Sequence, residues 1–257
     1  MPQYAFGVTY CGTNFHGWQR QTQLPTVQGE LERAISHVAN VQTQISAAGR
    51  TDAGVHATGQ VAAFHSDADR TLQNWQRGLN ALTPDDILVD WVLNVDDHFH
   101  PRFSATARRY TYLFHDVGHP HPLLSGRVWS CQKLDADRMH RHAQTLLGEH
   151  DFSSFRGAGC QSMTPFRRIN RCEVIRRGDF VVLEIEANAF LLHMVRNIAS
   201  VLHTIGRGIS VDLVQLLSFR DRTKSGPTAP PEGLYLVGVS YPDFDLPQPL
   251  EPAILGF

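Results

Sequence analysis

The apolar residues of this chain switch period repeatedly, from two to about 3.6 and back, and that switching limits the folds open to it more than any other feature. In YAFGVTY, the residues Tyr4, Phe6, Val8 and Tyr10 share one face, as in a strand with one side against a core. TVQGELERAISHVANV then sets Val27, Leu31, Ala34, Ile35 and Val38 at helical spacing behind Thr26, whose hydroxyl can cap a helix start. After a glycine-rich loop and the strand-like GQVAAFHS, the residues Leu72, Trp75, Leu79 and Leu82 predict a helix that Pro84 helps to end. Ile87, Val89, Trp91, Leu93 and Val95 alternate cleanly with their neighbours, as do Tyr110, Tyr112 and Phe114, so both segments read as strands.

The pattern then repeats in the second half. Met139, Ala143, Leu146 and Leu147 predict a helix ending near Gly148, and CEVI and FVVLEIEA flank RRGD as a hairpin around Gly178. FLLHMVRNIASVLHTIG is the clearest helix, closed by Gly206. Its apolar stripe is Leu191, Val195, Ile198, Leu202 and Ile205, with His193, Arg196, Asn197, Ser200 and His203 opposite, a polar side expected to be solvated. The hairpin signals favour an antiparallel α+β fold in two halves that meet near Phe103, without sequence repeats or low-complexity runs.

With 257 residues, 42% hydrophobic and 19% charged, the chain can bury a sizeable core, and disorder, collagen and coiled coil are excluded. No stretch reaches the ~18 apolar residues of a membrane span. The start MPQYAFGVTY lacks a basic end and apolar signal core, so the expected location is the cytoplasm. Cys11, Cys131, Cys160 and Cys172 form no CxxC pair and are expected to be free buried thiols. A net charge of −2 exerts no global pull on nucleic acid, yet of 23 basic residues only Lys133 and Lys224 are lysine. The rest are arginine, whose planar fork suits phosphates and bases.

GRTDAGVHATG, from Gly49 to Gly59, is the segment with most chemical content. Asp52 followed by Ala53 and Gly54 is in itself a turn signature, in which the carboxylate bonds nearby amides. The functional alternative points Arg50 and Asp52 from a glycine-shaped loop into a cleft, where a positioned carboxylate can attack or take a proton. Arg196 has no acidic residue three or four positions away to pair with, and Tyr110 is either core or a flat stacking surface at a cleft edge. Three loops mix arginine with aromatics, FHGWQRQ, FHPRF and CQSMTPFRRINR; such mixtures suit RNA, but each loop taken singly reads equally as an ordinary one with its aromatics tucked inward. The histidine pairs 98/100, 119/121 and 140/142 lack metal-ligand spacing and read as surface or loop residues.

Eight blocks carry a wider likeness: YCGTNFHGWQRQ, TVQGELE, AAGRTDAGVHATGQVAAF, FHPRFSATARRYTY, GEHDFSSF, CQSMTPFRR, FLLHMVRNI and APPEGLYL. In this order they resemble the tRNA pseudouridine synthase A family along nearly the whole chain. The resemblance implies isomerisation of uridine at positions 38 to 40 of the tRNA anticodon arm, with no cofactor and no metal. It maps the catalytic aspartate onto Asp52, its motif arginine onto Arg50, the tyrosine that stacks on the uridine onto Tyr110, and the arginine that pairs with the carboxylate onto Arg196. RNA contacts carry over to Phe99, His100, Pro101, Arg102 and Phe103, and to Cys160, Gln161, Ser162, Met163 and Thr164. The implied fold is two similar α+β halves, 1–103 and 104–257, sharing a continuous, mainly antiparallel sheet with helices on one face and a central cleft. The implied assembly is a homodimer on tRNA, away from membranes. The competing reading is a non-catalytic protein that binds or folds tRNA with the same loops.

Overall fold

Each period-two segment named above is a strand in the computed structural model, which describes residues 1–249 together with Pro252 and Ile254. The first elements are β1 (Gln3–Tyr10), α1 (Val27–Ala39), β2 (Ser46–Ala47), β3 (His56–His65), α2 (Leu72–Leu82) and β4 (Ile87–Val95). They are followed by β5 (Ala107–His115), β6 (Trp129–Ser130), α3 (Ala136–Ala143), β7 (Gly148–Asp151), β8 (Phe166–Arg177) and β9 (Phe180–Ala187), then α4 (Met194–Gly206), α5 (Leu213–Phe219) and β10 (Leu234–Ser240). Two compact units result, one formed by Met1–Thr106 with the chain from Tyr235, the other by Ala107–Leu234. The first unit thus runs past the boundary expected at Phe103 and takes back a C-terminal strand that the division 1–103 and 104–257 gave to the second. The cause is parallel pairing of Tyr235 with His56 and of Leu236 with Ala57, a long-range contact invisible to local periodicity.

In the first unit the strands lie in the order β4–β1–β3–β10, with β2 paired to β3, and all ladders but the last are antiparallel. Thr26 caps α1 as predicted, accepting the Gly29 N–H, and Thr71 caps α2 in the same way through Asn74. The α2 residue Trp75 seats against Tyr4 and Phe64 at centroid distances of 5.6 and 4.9 Å, so the Tyr4 and Phe6 side of β1 is the helix side. β4 departs from the clean alternation expected of it. Gly7 pairs with Trp91 and Val8 with Val89, so Asp90 is the extra residue of a β-bulge. The bulge inverts the pattern: Ile87, Val89 and Val92 face the helices, whereas Trp91 and Val95 join Ala5, Val61, Ala63 and Phe99 on the opposite side. Tyr241, Phe244 and Leu246 cover that side, above a cavity of about 520 Å³ whose lining includes Gly7, Asp90 and Trp91. The Thr9 hydroxyl donates to Asp90 at 2.9 Å.

The second unit has the order β5–β9–β8–β7, all antiparallel, with β6 parallel to β5. β8 and β9 form the expected hairpin, and Gly178 takes φ 57° at the first central position of its two-residue turn. The helix expected to end near Gly148 stops at Ala143 and continues as one 3₁₀ turn, Gln144–Leu146. α3 is fixed to β8, since the Gln144 amide donates to the Cys172 carbonyl and His140 Nδ1 accepts the Val174 N–H. Trp129 and Phe114 hold His203 of α4 at centroid distances of 4.2 and 6.3 Å.

Candidate active site

The segment between β2 and β3 is tied by its backbone at both ends. Ala48 N–H donates to Val61 O at 2.8 Å, the Gln60 amide donates to Gly49 O at 2.7 Å, and Val55 N–H closes a turn onto Asp52 O at 3.1 Å. Gly54, at φ 78°, permits that turn. Between these ties Thr51 is buried, while Arg50 is exposed and Asp52 half-buried. The loop therefore buries its one hydroxyl and leaves the residue on either side of it at least partly accessible.

What holds the loop from behind is the connection between β1 and α1. Thr51 O accepts the Trp18 N–H at 3.0 Å, and the Thr51 and Tyr10 hydroxyls are 2.8 Å apart. Gly12 and Gly17 let backbone meet backbone: a methyl group on Gly12 would lie 2.0 Å from Val55 O, and one on Gly17, at φ 88°, 2.8 Å from Thr51 O. Of the two readings of FHGWQRQ, rings offered to RNA or rings tucked inward, the second holds here. Phe15 and Trp18 are buried, and Arg20 is engaged by Glu32 at 2.7 Å. Glu32, itself buried, also accepts the Gln28 amide and the Ile45 N–H, so this arginine braces the approach to β2.

FHPRF divides into anchors and a presented tip. Phe99 is buried against Tyr241 and Phe244, and Pro101, also buried, offers its carbonyl to the Tyr241 hydroxyl at 2.6 Å. His100 Nδ1 accepts the N–H groups of Arg102 and Phe103, which shapes the turn. Phe103 is consequently 76% exposed, with the Arg102 guanidinium 5.6 Å from its ring. Only the tip can offer a flat ring and a cation to a ligand. Phe99 supplies core instead.

In the second unit, Tyr110 on β5 is buried edge-on to Phe190 at 5.1 Å. Two residues on, burial pushes the Tyr112 hydroxyl well above the usual tyrosine range, with Glu232 adding to the effect, and the hydroxyl donates to Pro230 O. Arg196 Nε donates to Ala229 O at 2.8 Å. The polar side of α4 is not the solvated face expected from the sequence. Asn197 is fully buried, donating to Phe155 O and accepting from Arg222 and Thr228, and Ser200 is buried beside it. Asn197 and Ser200, uncharged and on a helix whose other side is already apolar, were the available signal, since such groups can be buried once hydrogen-bonded.

The loop Cys160–Thr164 is shaped by two arginines turned inward. Arg156 donates to the carbonyls of Cys160 and Ser162, and Arg167 to Thr164 O and the Ser162 hydroxyl. Gln161, Met163 and Thr164 are left exposed, Met163 completely. Burial acts to raise the Cys160 thiol, but N–H groups of Leu192 and Ser162 and the Arg156 guanidinium bring it below the usual cysteine value overall. All four cysteines are free, though only Cys172 is buried and the other three are half-buried, contrary to expectation. Among the described residues, no group of three His, Cys, Asp or Glu side chains is placed to hold a metal ion, and no helix is long and apolar enough to cross a membrane.

The sequence model of a tRNA pseudouridine synthase family matches residues 7–104 and 142–242. A tRNA pseudouridine synthase A of Pasteurella multocida is 52% identical over 248 residues, covering 95% of this chain and 94% of that protein. Its counterpart in Aeromonas hydrophila is 51% identical over 253 residues, covering 96% and 94%, and that of Haemophilus influenzae 49% over 256 residues, covering 98% and 95%.

Proposed function

The chain belongs to the tRNA pseudouridine synthase family, isomerases that turn a uridine of tRNA into pseudouridine, and from that premise we propose that Asp52 carries the reaction on uridines at positions 38 to 40. The observation that supports this reading is the loop itself: Thr51 buried and hydrogen-bonded, with Arg50 exposed and Asp52 half-buried on a backbone tied at Ala48, Gly49, Thr51 and Val55.

The chemistry is self-contained. The bond from ribose C1′ to N1 breaks, the uracil turns, and C1′ joins C5; C5 loses a proton and N1 gains one. Atoms and electrons balance without an oxidant, a reductant or a group donor, so we assign no cofactor and no metal to the step. A carboxylate can start the sequence by attacking C1′, by adding to C6 or by removing a ribose proton, and each route needs it within reach of an everted nucleotide. Eversion costs a few kcal/mol in lost stacking. In this reading Arg50 fills the vacated space, Tyr110 stacks on the uracil, and Arg196 orients the carboxylate.

The Arg102 and Phe103 tip and the loop Cys160–Thr164 are the proposed RNA contacts, the first through a stacking ring and a cation, the second through exposed Gln161, Met163 and Thr164. The proposed working form is a cytoplasmic homodimer, for which light scattering should return twice 28.8 kDa. The central test is tritium release from tRNA labelled at uridine C5. Asp52→Asn is expected to reduce release to background while tRNA binding persists, and substantial turnover by that variant would remove Asp52 from its role. Exhaustive chelation should leave the wild-type rate unchanged.

A further inference from the structure

Two buried hydroxyls meet directly behind Asp52. Tyr10 is the last residue of β1, its ring 2% exposed and tilted against Trp18 at 5.9 Å. Its hydroxyl lies 2.8 Å from that of Thr51, a residue 41 positions later in the chain. Thr51 is held twice, through its side chain by Tyr10 and through its carbonyl by the Trp18 N–H. Packing alone does not call for this pair, because phenylalanine and valine fill the same space without a polar atom to satisfy. What a hydrogen bond adds is direction, here to the residue peptide-bonded to Asp52.

We propose that Tyr10, acting through the Thr51 hydroxyl, is a positioning residue for the Asp52 carboxylate. The pair fixes the rotation of the backbone between Arg50 and Asp52, so that one charge is not free to swing without the other. Gly12 and Gly17 complete the seat by admitting main chain where a side chain would intrude. Small displacements matter at such a position: a shift of about 1 Å from the reactive geometry can cost on the order of 100-fold in rate. This inference rests on Asp52 being the reacting group.

The test is single-turnover tritium release at saturating tRNA, with tRNA affinity and melting temperature measured on the same preparations. Tyr10→Phe and Thr51→Val keep shape and remove the bond; each is expected to slow the chemical step about tenfold, the worth of one well-placed hydrogen bond, with affinity changed less than about twofold. The double variant should be no slower than either single one, because both remove the same interaction. Thr51→Ser, which keeps the hydroxyl, should retain most of the rate. Wild-type rates in Tyr10→Phe and Thr51→Val overturn the proposal, as do losses that add in the double variant or that merely follow a reduced folded fraction. Asp52→Asn is run alongside. If it still turns over, the premise falls and the inference with it, whereas an inactive Asp52→Asn beside a fully active Tyr10→Phe defeats the positioning role alone.

Discussion

Gly17→Ala should damage catalysis through the main chain, and its cost can be divided into two parts. The first is conformational: Gly17 has φ 88°, in the left-handed region, where an L residue loses about 1–2 kcal/mol. The second is collision. The new methyl group would stand 2.8 Å from Thr51 O and 3.1 Å from both Ala53 N and the Asp52 carbonyl carbon. These are backbone atoms of the Asp52 loop, so no rotamer change relieves the contact, and overpacking of this kind costs about 1–3 kcal/mol. Gly208 provides the control. It has nearly the same φ, 89°, and no atom within 4 Å of its added methyl group. Gly208→Ala should therefore lose only the conformational part, about 1–2 kcal/mol in urea unfolding, and keep its tritium-release rate. Gly17→Ala should lose about 2–5 kcal/mol and, below its melting transition, release tritium at least about tenfold more slowly as the loop gives way. Equal stability losses in the two variants, with full activity in Gly17→Ala, would refute the view that position 17 bears directly on Asp52.

Removing the guanidinium by Arg102→Gln should weaken tRNA binding and lower the slope of log affinity against log salt by about one, as expected for one lost phosphate contact; an unchanged slope in filter binding argues against that contact. Phe103→Ala should cost about 1–3 kcal/mol of tRNA affinity if its exposed ring stacks on a base. Burial pushes the Cys131 and Cys172 thiols up to about 12, whereas Cys160 lies below the ordinary value, so iodoacetamide at pH 8 should label Cys160 well before either in peptide mapping. Burial lowers both His115 and His203, with Arg207 contributing at the latter, so the folded chain takes up these protons later than the unfolded one. Stability should then be level above the unfolded value near 6.5 and fall as pH drops through the folded values; denaturant titrations at pH 7.5 and 5.5 should show the difference, reduced in His203→Gln.

The Asp52 loop was singled out by the eight-block likeness, because its local evidence reads as an ordinary turn. Gly49, Arg50, Asp52 and Gly54 lie within six residues, but a carboxylate on a glycine-bounded turn also suits a purely structural role in which it bonds nearby amides. Helix and strand types were legible where the apolar period is clear, since that period follows from backbone geometry; the caps at Thr26 and Thr71 lie where that geometry ends. The single extra residue at Asp90 marks the limit of such reasoning. Ile87, Val89, Trp91, Leu93 and Val95 recur at every second position, but Leu88 and Val92 between them are apolar too, and the pairing of β4 with β1 inserts a bulge and exchanges the faces halfway along.

Which loop side chains meet solvent was a matter for the tertiary structure. FHGWQRQ and FHPRF look alike as mixtures of arginine, histidine and aromatics, yet Trp18 is buried and Phe103 exposed. Arg20 is claimed by Glu32, 12 positions away, and Pro101 is held by Tyr241, 140 positions away. Periodicity constrains a residue relative to its neighbours along the chain, whereas burial on a loop depends on partners that distant segments deliver. The types of the strongly periodic elements therefore belonged to the sequence, while the fate of each arginine and ring, and the strand that Tyr235 returns to the first unit, awaited packing.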